Sequence, residues 1–69
     1  MSLIIAKEGN AYSIRKITGN DETKKFLSSL GFVVGEQVTI ISKNGENMIV
    51  NIKDSRVALG QSMASRIMI

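Results

Sequence analysis

The chain has 69 residues, with nine Lys and Arg against six Asp and Glu, and it contains neither Cys nor His. A domain this small buries only about 60% of the surface of its unfolded chain, and without Cys or His it cannot add disulfides or a zinc centre to a thin core. The same absences remove the Cys nucleophile, the His general base and the Ser-His-Asp arrangement, so an ordinary enzyme is not expected. The longest uninterrupted apolar run, Leu3-Ile4-Ile5-Ala6, is far short of a membrane-spanning helix of roughly 20 residues. A cytoplasmic protein with a single domain over residues 1–69 is therefore expected, without direct membrane insertion, and its net charge of +3 favours an acidic partner.

Ile and Val together number 15 against four Leu, a weighting toward side chains that suit pleated surface better than helix. Tyr12, Ile14 and Ile17 mark a first strand, and the three-residue step from Ile14 to Ile17 predicts a bulge or strand end. From Asn20 to Leu30 the period changes, with Thr23, Phe26, Leu27 and Leu30 at helical spacing on one face, which predicts burial of Phe26. Asn20 or Asp21 suits the N-cap, and Gly31 suits a left-handed C-terminal cap, so one short helix is expected over about residues 21–30.

Beyond Gly35, Val38 and Ile40 alternate with Thr39, and Asn44-Gly45 provides a tight hairpin turn. Met48, Val50 and Ile52 form the return strand, Asp54-Ser55 a second turn, and Val57 and Leu59 a further strand. A link from Gly60 to Ser65 leads to a last strand at Ile67 and Ile69. Pairing that strand with the first closes the sheet and removes exposed edges. The fold class is mainly β, a small five-stranded barrel with one helix inserted after the first strand.

The run Leu27-x-x-Leu30-Gly31-Phe32-x-x-Gly35-x-x-Val38 resembles the central signature of the FeoA family. Val57-Ala58-Leu59 followed by Ala64, Ile67 and Ile69 resembles the family's closing pattern, and together the two blocks cover about residues 9 to 69. Val34 stands where the family usually has Pro, and Lys43-Asn44-Gly45-Glu46-Asn47 is a shorter hairpin than the family's. The resemblance implies an SH3-like barrel. It also implies an accessory or regulatory role in ferrous iron uptake, exercised as a protein-interaction module on FeoB, a membrane permease with a cytosolic GTPase domain. The protein would then sit at the inner face of the membrane through its partner, with weak self-association left open. At family level the resemblance carries transition-metal-ion binding.

No metal or cofactor is expected on this chain itself. Without His or Cys the donors include Asn20, Asp21, Glu22, Glu46, Asp54 and methionine sulfur. The first three read as a helix start, and Met48, Met63 and Met68 as core fillers. A docking surface is expected where the helix turns into the barrel. Phe32, just past the cap, is the expected partly exposed anchor, with Lys24, Lys25, Val34 and Gly35 beside it. Leu27, Leu30, Gly31, Val38, Leu59, Ala64 and Ile67 are expected to pack or cap.

Two alternatives belong to other classes. Arg15, Lys16, Lys24, Lys25, Lys43, Lys53, Arg56 and Arg66 supply cations for a nucleic-acid-binding barrel, but they are scattered along the chain, and only three aromatics, Tyr12, Phe26 and Phe32, exist for stacking on bases. Nucleic acid is therefore not the expected partner. A stand-alone SH3-like domain related to the tail of metal-dependent repressors is the other alternative. Gly31-x-x-x-Gly35 lacks the Lys-Ser/Thr of a nucleotide-binding loop, so no catalytic residues are assigned.

Overall fold

The structure, a computed structural model, describes residues 1–69. After a 3-10 turn at Leu3–Ile5, the elements run β1 (Ala11–Ser13), β2 (Lys16–Ile17), α1 (Asp21–Ser29), β3 (Gln37–Asn44), β4 (Asn47–Ile52), β5 (Ser55–Gly60), α2 (Gln61–Ala64) and β6 (Ile67–Met68). One antiparallel sheet has the order β1-β3-β4-β5, and a second pairs β2 with β6. The mainly β, SH3-like reading holds, with one refinement: the first strand is split into two.

The split occurs at the three-residue step. Ile14 donates its N–H to Glu36 and accepts from Gly35, both at 2.9 Å, while the next N–H, that of Arg15, donates to Met68 at 2.8 Å. The chain thus leaves one sheet and enters the other within two residues, with Ile14 buried at the corner. Pairing of the first and last strands is therefore made by β2 alone, through Lys16 with Met68 and Ile17 with Ile67.

Both hairpin turns lie one residue from where the dipeptides point. Asn44 pairs with Asn47, so the first loop is Gly45-Glu46, and positive φ at Gly45 alone suits a type II′ turn. Ile52 pairs with Ser55, so the second loop is Lys53-Asp54 instead of Asp54-Ser55. Its residues have φ of 48° and 64°, a type I′ pattern made without glycine.

The core comprises 14 buried residues, and none of them is polar or charged. Val38, Ile40, Met48, Val50, Ile52 and Leu59 supply the inner face of the large sheet, and Ile67 and Ile69 supply that of the small one. Leu3 and Ala6 are fully buried as well, so the N-terminal segment closes one end of the barrel. Cross-chain bonds hold it there: Lys43 donates from Nζ to the Ile4 carbonyl at 2.9 Å, and its N–H donates to Glu8 Oε1 at 3.0 Å. The link from Gly60 to Ser65 contains the single turn α2, which places Ala64 in the core.

Candidate functional site

α1 starts and ends as its sequence dictates. Asn20 Oδ1 accepts the Thr23 N–H at 2.8 Å, and Asp21 and Glu22 occupy the first turn, where the exposed N–H groups favour negative charge. At the other end Phe32 N–H donates to the Leu27 carbonyl and Gly31 N–H to that of Ser28, both at 3.0 Å. These two bonds form a Schellman motif, and Gly31 takes the left-handed position at φ 102°.

That motif overturns two expectations. Its geometry brings the residue after the left-handed glycine back onto the helix three positions before the cap, so Phe32 packs into the core with Leu27 and is only 1% exposed. Phe32 is therefore not a docking anchor. Phe26 is not buried either: it lies about 100° around the helix from Leu27 and is 49% exposed. A helix of nine residues set on a small barrel buries a narrow stripe, here Leu27 fully and Leu30 and Thr23 in part.

Lys24 and Lys25 are exposed on the outer side of α1. Val34 is 65% exposed, and Gly35 holds the turn beyond it at φ 94° with open space around its Cα. That turn is fixed from behind by the Gly35 N–H bond to Ile14 and by Glu36 N–H donating to Val33 at 3.1 Å. Lys24 and Lys25 lie on the first turns of α1 and Val34 lies beyond its last, so the four residues frame an elongated surface and not one cluster. Phe26, absent from that set, is the exposed aromatic of α1, about 100° around the helix from Lys25 and about 160° from Lys24. The signal that identifies it is the Schellman pattern itself, because assigning Phe32 to the core leaves Phe26 as the aromatic without a place there.

Elsewhere, a cleft of about 50 Å³ opens between Ile4, Met48 and Gln61. It is far below the roughly 300–1,000 Å³ of sites that take small organic ligands. Tyr12 is half-buried beside Lys7 and Lys43. The Lys7 N–H donates to its phenol oxygen at 3.0 Å and, with Asn10, holds its pKa below the usual tyrosine value. Lys53 and Glu36 form an exposed ion pair at 3.8 Å, too open to contribute much stability. No helix is long and apolar enough to cross a membrane.

Comparison with known proteins bears on this geometry. The FeoA domain family model matches residues 1–69. A candidate Fe(2+) transport protein A of Methanocaldococcus jannaschii is 30% identical over 67 residues, covering 97% of this chain and 82% of that protein. The crystal structure of Stenotrophomonas maltophilia FeoA in complex with zinc, described as a prokaryotic SH3 domain protein, superposes with a TM-score of 0.86 at 30% identity, covering 99% of this chain and 87% of that one. A manganese-dependent transcriptional repressor shares the fold at a TM-score of 0.89 and 17% identity, over 97% of this chain but 39% of the repressor.

Proposed function

The chain belongs to the FeoA family, and from that premise we propose that it is a non-enzymatic accessory protein of ferrous iron uptake that docks on a cytosolic segment of a FeoB-type permease. The reading places the protein in the cytoplasm, at the inner face of the membrane through that partner. Its single best support in the structure is the outer surface of α1 and the turn that follows. There a half-exposed aromatic, Phe26, and the exposed Lys24 and Lys25 project from a helix pinned by both caps, and an exposed Val34 follows in the turn beyond it.

A rigid frame with an aromatic anchor and flanking cations is what a protein-binding surface requires, because little conformational freedom is lost on association. The cations steer an acidic partner segment, and Phe26 and Val34 supply the apolar contact. Gly35 keeps the turn open, since any Cβ there would sit on a left-handed backbone.

The test is iron uptake in cells that depend on this protein, together with co-purification of the permease. Phe26→Asp and the pair Lys24→Glu, Lys25→Glu are expected to fold normally, lose the permease and lower uptake. Full uptake and full retention of the permease in both variants would refute the docking surface. Retention of RNA in place of the permease would move the assignment to the nucleic-acid-binding class.

A further inference from the structure

Arg15, Lys16 and Arg66 share the outward face of the β2–β6 ribbon. Ile14 is buried and Ile17 packs against the core, so the inward step of three residues turns both intervening cations outward. On β6 the buried Ile67 sends its exposed neighbour Arg66 to the same side. Thr18 fixes that crossing by donating to the Arg66 carbonyl from its N–H at 2.8 Å and from its hydroxyl at 3.1 Å. The Arg66 stem lies along Gly19, with Cδ 3.6 Å from where a Cβ would stand. No carboxylate pairs with any of the three cations, because the chain's single ion pair is Lys53 with Glu36.

The N-terminal segment widens this ribbon on its other edge. Ser2 bridges to Met68, and Ile69 N–H donates to the Met1 carbonyl at 2.8 Å. One of the most exposed apolar side chains borders it: Ile5, at 63%, about 6 Å beyond Ser2 along the 3-10 turn, whose three-residue period sets it over Ser2. Unpaired cations on a small face edged by an exposed aliphatic side chain have the composition of a surface that lies on lipid headgroups.

We propose that this ribbon face seats the protein on an anionic lipid surface, with Arg15, Lys16 and Arg66 over the phosphates and Ile5 entering the headgroup boundary. Nucleic acid fits the face less well, since none of the three aromatics lies on it: Tyr12 is on β1, Phe26 on α1, and Phe32 is buried. An acidic protein segment would use the cations but leave Ile5 without a role. The inference uses residues distinct from the α1 docking surface, so the two stand or fall separately.

The test is binding to vesicles of phosphatidylglycerol in phosphatidylcholine against vesicles of phosphatidylcholine alone, measured by co-sedimentation at several salt concentrations. The expected result is salt-sensitive binding to the anionic vesicles only. Lys16→Gln with Arg66→Gln is expected to lower the partition coefficient about 30-fold, the loss of two cations at roughly 1 kcal/mol each. Lys53→Gln with Arg56→Gln, matched in charge but off the ribbon, is expected to change it little, and Ile5→Ser to weaken binding several-fold with the salt slope unchanged. Equal losses in the two double variants, equal binding to both vesicle types, or binding to single-stranded RNA but not to anionic vesicles would each overturn the proposal. Permease capture by the Lys16→Gln, Arg66→Gln variant separates the two readings, since it stays intact whether or not the lipid face exists.

Discussion

Replacing the two phenylalanines one at a time tests the packing account where it departs most from the helical periodicity. Phe32 is 1% exposed and closes the Schellman motif against Leu27, whereas Phe26 is 49% exposed on the outer side of α1. Truncating a fully buried phenylalanine costs about 3–5 kcal/mol from lost transfer energy and the cavity left behind. A chain of 69 residues has a total stability of about 3.5–10 kcal/mol at 0.05–0.15 kcal/mol per residue. Phe32→Ala is thus expected to remove about 30% or more of the stability, and at the low end of that range to leave much of the protein unfolded. Phe26→Ala removes a side chain already half in water and is expected to cost about 1 kcal/mol or less. Urea unfolding followed by circular dichroism measures both, with a common slope showing that the same surface is exposed on unfolding. A cost below about 1 kcal/mol for Phe32→Ala, or equal costs for the two variants, would refute the Schellman-based placement.

Other consequences follow from the same geometry. Asn20→Ala removes the acceptor for the Thr23 N–H at 2.8 Å and is expected to cost about 1 kcal/mol in thermal or urea unfolding. Asp54→Gly relieves a non-glycine residue at φ 64° in a type I′ turn and is expected to stabilise the protein by about 0.5–1 kcal/mol, raising the urea midpoint. Gly31→Ala places a Cβ on a backbone at φ 102°, 3.4 Å from the Lys53 side chain, and is expected to cost about 1 kcal/mol or more in the same assay. The Tyr12 phenol, whose oxygen accepts the Lys7 N–H, is expected to ionise below the free tyrosine value of 10.0, as read by ultraviolet absorbance. Because the folded pKa is the lower one, this linkage stabilises the folded state as pH rises from that value toward 10.0, and a titration at or above 10.0 would contradict it.

Features set by local chemistry were readable in the sequence. The helix Asp21–Ser29 carries its own N-cap, acidic first turn and glycine stop, so its limits depend little on the rest of the fold. The β3-β4-β5 meander was readable because period-two alternation fixes which side chains point inward. Turn positions slipped by one residue because strand register decides them. Asn44 is held in β3 by Asn47, and Lys53-Asp54 adopts a left-handed pair that no glycine announces. The N-terminal 3-10 turn and α2 span three and four residues, too few for any periodicity to register. The exchange of roles between Phe26 and Phe32 has a tertiary cause: a short helix offers the barrel a narrow stripe, and the chain reversal after Gly31 fills the neighbouring space with Phe32. Of the site set, Lys24, Lys25, Val34 and Gly35 lie on the surface, while the basic ribbon of Arg15, Lys16 and Arg66 emerges only when β2 meets β6.

In the proposed role, the exposed side chains of α1 and of the turn after it engage a cytosolic segment of a FeoB-type permease. The most direct measurement is a nuclear magnetic resonance titration of isotope-labelled protein with the permease's purified cytosolic region. Saturable shifts confined to Lys24, Lys25, Phe26, Val34, Gly35 and their neighbours, abolished by Phe26→Asp, are the predicted result. An unchanged spectrum, or shifts centred on another face, would contradict it.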